Sequence, residues 1–122
     1  MSTIFNALIR THHITSRKKV SKLRNAASNH AVYVLLRSGG CPGIMYCEGS
    51  EAGVKQWVGT VQRLRYKDFQ LVKKAAEIRQ NRKDGDWGRL EDVDTVKEFG
   101  ARMEQLGVWA WWRRGMGYVH ED

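Results

Sequence analysis

Cys41-Pro42-Gly43-Ile44-Met45-Tyr46-Cys47-Glu48-Gly49 divides into a turn and a strand. Pro-Gly, reinforced by Ser38-Gly39-Gly40 just before it, marks the clearest turn in the chain. Ile44 to Cys47 follows as a short apolar run of strand-forming residues, and Glu48-Gly49 ends it. Upstream, Ala31 to Leu36 is continuously apolar, which predicts a central strand covered on at least one face. Downstream, Val54, Trp57, Val58, Val61 and Leu64 recur at helical spacing, with Ser50 as N-cap and Glu51 near the positive end of the helix dipole.

The same reading extends to both ends. Ile4 to His12 alternates loosely and predicts a first strand. From an N-cap at Ser16, the apolar stripe Val20, Leu23 and Ala27 predicts a first helix, with Lys18, Lys22, Asn25 and Asn29 on its outer side. Phe69 to Val72 predicts a short fourth strand, and residues 80–92 a flexible loop holding Asp84-Gly85 and Trp87. Asp94 is expected to cap a last helix carrying Val96, Phe99, Met103 and Leu106, stopped by Gly107, with a Trp-rich tail over 108–122. The order predicts an α+β fold: one domain over 1–122, a ferredoxin-like βαββαβ sandwich with an extra C-terminal helix.

The composition carries a net charge of +8 over 122 residues. No acidic residue precedes Glu48, whereas Arg63 to Lys83 is basic and Asp84 to Glu104 is acidic. Segregation of this kind favours a polyanionic partner on the basic side. No apolar run approaches the roughly 20 residues that span a bilayer, and Asn6 and Arg10 interrupt the N-terminal apolar residues. Cys41 and Cys47 form no disulfide framework, which suits an intracellular compartment.

Four separated motifs resemble the C-terminal domain family of the spliceosomal pre-mRNA-processing factor three, a domain also found after RWD domains. They are His12-His13-Ile14 with the basic start of the first helix, Pro42-Gly43-Ile44 through Glu48-Gly49, Arg63-Leu64-Arg65, and Gly107 to Met116 with Trp111 and Trp112. Tyr66 stands where a Trp is usual. The resemblance runs from about Leu8 to Tyr118. It implies a ferredoxin-like fold, a nuclear location and binding of single-stranded or structured small RNA within a ribonucleoprotein.

The residues expected to meet RNA are Arg10, His12, His13, Arg17, Lys18, Lys19, Lys22, Tyr33, Arg37, Arg63, Arg65 and Lys67. If Ala7 and Ile9 point inward on the first strand, and Val32, Val34 and Leu36 on the second, then His12, Tyr33 and Arg37 share the opposite face. From there they stack on bases while the lysines meet phosphates. A protein partner in a larger complex is the second reading, through the acidic loop or through Trp109, Trp111, Trp112, Arg113 and Arg114, since Trp and Arg dominate interface anchors. Packing of two of these tryptophans against the last helix is the alternative for the same segment. One of His12 and His13 is alternatively a buried hydrogen-bonding element at the strand–helix junction. Trp57 and Cys47 are expected in the core.

No catalytic set is expected. Gly39-Gly40 lacks the Lys-Ser/Thr of a phosphate loop, and Glu48 is a lone carboxylate, expected to accept backbone N–H bonds from the following helix. The spacing of His12, His13, Cys41 and Cys47 fits no recognised zinc pattern, so neither a metal nor a cofactor is expected.

Overall fold

The computed structural model describes residues 3–78 and 87–118. The chain runs β1 (Ile4–Thr11), α1 (Arg17–Asn29), β2 (Tyr33–Arg37), β3 (Gly43–Gly49), α2 (Glu51–Arg63), β4 (Gln70–Ile78), β5 (Leu90–Val93), α3 (Val96–Gln105) and α4 (Trp109–Met116). Its first six elements are the expected βαββαβ unit. The sheet order is β4-β1-β3-β2-β5, with β1 antiparallel to both β3 and β4, and β2 antiparallel to β3.

Local chemistry explains the helix starts. The Ser16 hydroxyl accepts from the Lys19 N–H and the Ser50 hydroxyl from the Gly53 N–H, each satisfying a first-turn donor that the helix leaves open. The last long helix is capped by Thr95 rather than Asp94: the Thr95 hydroxyl takes the Glu98 N–H at 3.0 Å. Gly107, at φ 75, ends that helix in the left-handed conformation that glycine adopts without steric cost.

Strand periodicity then sorts side chains to two faces. Ala7, Ile9, Val34, Leu36, Met45 and Cys47 turn to α1 and α2, where they meet Leu23, Val54, Trp57 and Val61 in one core. Leu8, Tyr33, Leu35, Ile44 and Tyr46 turn the other way and meet Phe99, Met103, Trp112 and Met116 from α3 and α4. The central strands β1, β2 and β3 are therefore buried on both faces, whereas the edge strand β4 is partly exposed.

Three expectations are corrected here. Residues 90–92 are not loop: Leu90–Val93 forms β5, parallel to β2, which docks through Val34 N–H to the Arg89 carbonyl at 2.9 Å. Residues 80–86 of the expected loop lie outside the described residues. The fourth strand is nine residues long rather than four. It carries register shifts opposite Asn6 to Ile9, and these irregularities break the two-residue alternation that would have revealed it. Tail residues 109–116 form a helix whose Trp112 packs on Gly100; a Cβ at that glycine would stand 3.0 Å from the indole.

Candidate functional site

The sheet face proposed to stack on bases is closed. Tyr33 is 4% exposed and its hydroxyl donates to Glu91 at 2.9 Å, while Arg102 of α3 donates to that same hydroxyl at 2.8 Å. Burial, then the hydrogen bond to Glu91, push the Tyr33 hydroxyl well above the usual tyrosine range. The Glu91 carboxyl is held below its ordinary value, first by the hydrogen bond from Arg102. Arg37 is also engaged, donating to the carbonyls of Asp94 and Pro42, each at 3.0 Å.

Glu48 lies inside this layer at 2% exposure and accepts the Tyr46 hydroxyl at 2.6 Å, so its visible role is in the sheet interior. Of the Trp-rich segment, Trp112 is buried against Phe99 and Trp111 meets Tyr46 edge-on. Trp109 is exposed and carries Arg113 over its ring at 4.8 Å, and Arg114 is exposed. Most of the aromatic mass in this segment is core. Trp57 and Cys47 are core as expected, and burial pushes the Cys47 thiol far above the ordinary range.

The remaining basic residues lie on the helical layer. Arg17, Lys18 and Lys22 are exposed along α1, and Arg63, Arg65 and Lys67 follow the end of α2. Lys19 stands 4.8 Å over the Tyr66 ring, joining these two groups. Burial pushes the Tyr66 hydroxyl up to about 12. Beside them Gly59, Gln62, Arg63 and Arg65 line an open depression of about 610 Å³.

A more diverse cleft, of about 560 Å³, opens where β1 ends. Arg10, Thr11 and His12 supply one wall, Cys41 and Pro42 a second, and Asp68, Phe69 and Gln70 a third. Backbone bonds fix these walls to each other. The His12 N–H donates to the Lys67 carbonyl at 3.0 Å, and the Gly43 N–H donates to the His12 carbonyl at 3.2 Å. Asp68 is held at φ 56, a conformation uncommon outside glycine.

As a result Cys41 Sγ lies 3.7 Å from His12 Nδ1, and Asp68 Oδ2 lies 3.6 Å from the same nitrogen. Arg10 reaches across to Gln70 Oε1 at 3.1 Å. His12 is only partly covered, its ring lying edge-on to exposed His13 at 4.1 Å, so neither histidine is the buried junction element. Sequence reasoning set His12 beside Cys41 only to reject a zinc pattern, and among the described residues no group of three or more such side chains suits a metal. It missed Asp68 altogether. The only local signal was the short Lys67-Asp68 turn between helix and strand, which says nothing about what faces it.

No family model and no curated protein matches the chain. Solved structures do. The BlrP1 BLUF structure superposes with a TM-score of 0.61 at 16% identity, covering 88% of this chain and 80% of its own. Klebsiella pneumoniae BlrP1 in its calcium/cy-diGMP complex gives 0.59 at 12% identity, over 84% of this chain and 28% of that one. A bacterial light-regulated adenylyl cyclase gives 0.56 at 9% identity, over 94% and 36%. The chain thus spans about a third of those longer proteins.

These findings overturn the resemblance to the splicing-factor domain, because the structural neighbours are BLUF proteins. RNA binding and a nuclear ribonucleoprotein partner go with it, and the covered sheet face removes their mechanism. The protein-partner reading of the Trp-rich segment gains no specific support, since Trp112 and much of Trp111 serve the core. Among the described residues, no helix is long and apolar enough to cross a membrane. What the comparisons establish is the fold: this chain has the ferredoxin-like architecture of the BLUF proteins.

Proposed function

We propose that this chain is a non-catalytic regulatory module of the BLUF type, and that it works without a flavin inside the fold. The first half is supported by the fold likeness, which covers 88% of the chain. BLUF domains are flavin-binding light sensors, and one neighbour is a cyclase regulated by light. In the longer neighbours the matching region is about a third of the chain, as a regulatory unit attached to an effector would be.

The second half rests on whether the residues present fit a flavin. A flavin presents a planar three-ring system with several hydrogen-bonding atoms along one edge. Buried, it needs a slot and a set of converging polar groups. The α1–α2 side of the sheet offers neither. Its buried strand residues are apolar apart from Thr11, whose hydroxyl donates to the His13 carbonyl at 3.4 Å, and Trp57 fills the space between the helices at 0% exposure, donating its indole N–H to the Leu23 carbonyl at 3.1 Å. One buried side-chain oxygen in that core lacks a partner among the described residues, the Tyr66 hydroxyl.

The α3–α4 side is filled by Phe99, Met103 and Trp112, with Asn6 Oδ1 and Trp112 Nε1 as its buried polar atoms without a partner among the described residues. The residues do not fit the group. The observation that carries this reading is the Trp57–Leu23 closure inside a BLUF-type fold.

The test is spectroscopic. The purified chain is expected to be colourless, to leave riboflavin, FMN and FAD fluorescence unquenched, and to melt at the same temperature in darkness and blue light. A yellow chain whose absorption shifts on illumination would refute the flavin-free reading and make it a light sensor.

A further inference from the structure

Cys41 is exposed, and it shares its cleft with a base and a cation from the end of β1, His12 and Arg10, and a counter-charge from the α2–β4 connection, Asp68. A thiol attacks as its thiolate, so a neighbouring proton acceptor with access for a second molecule is what sets a reactive cysteine apart from an inert one. Here His12 Nδ1 stands 3.7 Å from Sγ, and Asp68 Oδ2, 3.6 Å from the same nitrogen, faces the ring that would gain the proton. The other cysteine is the internal contrast: Cys47 is 1% exposed in an apolar core.

We propose that this cleft is a thiol-modification site, at which Cys41 exchanges with a small disulfide carrying a carboxylate. The Cys41 proton passes to His12, and the thiolate sulfur attacks one sulfur of the small disulfide. That S–S bond breaks as the Cys41 mixed disulfide forms. The departing thiolate takes the proton from the His12 imidazolium, so one disulfide and one thiol become one disulfide and one thiol. The incoming disulfide is the oxidant and no other reactant is needed. Arg10, held on the cleft wall by Gln70, supplies the cation for the carboxylate, and the volume of about 560 Å³ admits a ligand of this size.

The inference stands apart from the regulatory reading, since it concerns the reactivity of the chain itself. Its test uses oxidised glutathione as the anionic probe and hydroxyethyl disulfide as the neutral one, with adducts counted by intact-protein mass spectrometry over time. One adduct is expected, on Cys41, absent in Cys41→Ser, and forming faster with the anionic probe. His12→Ala should slow it by about 100-fold, the lower end of what a positioned base contributes. Arg10→Gln should remove the preference for the anionic probe while the neutral probe reacts as before, a split that general loosening of the fold would not produce.

Thermal melting of each variant checks that it is folded, and His12→Gln replaces His12→Ala if the latter is not. Equal rates for wild type and a folded His12 variant, or labelling of Cys47 as fast as Cys41, would overturn the proposal.

Discussion

Replacing Trp57 by alanine tests the packing and the closed interior together. The side chain has no exposed surface, touches both helices and the sheet, and ties α2 to α1 through its bond to the Leu23 carbonyl. Truncating a buried Trp to Ala typically costs about 3–5 kcal/mol, and losing the indole donor accounts for about 1 kcal/mol of that. Unfolding entropy of about 2.1 cal/mol/K per residue gives a chain of this size about 0.26 kcal/mol/K, so a loss of about 4 kcal/mol lowers Tm by about 15 °C. Trp57→Phe keeps most of the volume and loses the donor, and about 4–8 °C is expected. Thermal melting followed by circular dichroism, with urea unfolding as a second axis, measures both. A Trp57→Ala chain within about 1 kcal/mol of wild type would refute the claim that this ring closes the space between α1 and α2.

Two further outcomes follow from the opposite layer. Because the folded Glu91 carboxyl lies below its ordinary value of 4.5, its pairing stabilises the chain fully above that pH, and the contribution fades as pH falls through the lower folded value. Urea midpoints measured from neutral to acid pH should therefore drop less in Glu91→Gln than in wild type, and an identical slope would count against the Tyr33–Glu91–Arg102 cluster. Gly100→Ala places a Cβ 3.0 Å from the Trp112 ring, and since the indole is wedged against Phe99 a loss of about 1–3 kcal/mol is expected. Unchanged stability there would show that α4 can slide on α3.

Several elements were legible because their causes are local. Ser16 and Ser50 cap helices by reaching three residues along the chain, and Val54, Trp57, Val58 and Val61 share one face because α-helical geometry puts them there. β5 was not legible: Leu90-Glu91-Asp92-Val93 reads as a polar loop, and only pairing with β2 at the sheet edge makes it a strand. The acidic stretch from Asp84 to Glu104 supplies Glu91 to Tyr33 and Arg102, partners 58 and 11 positions away along the chain.

The amino-acid sequence by itself determined the βαββαβ order, the caps at Ser16 and Ser50 and the two-sided alternation of β1 and β2, all set by interactions within a few residues. It also offered Tyr33, His12 and Arg37 as one open face, since alternation says which side chains share a side but not what covers them. Only the tertiary structure decided that α3 and α4 cover that face, that Trp57 closes the other, and that His12, Cys41 and Asp68 meet in one cleft. Those outcomes depend on contacts between segments distant in the chain, where burial and backbone pairing select among arrangements that local propensity leaves equal.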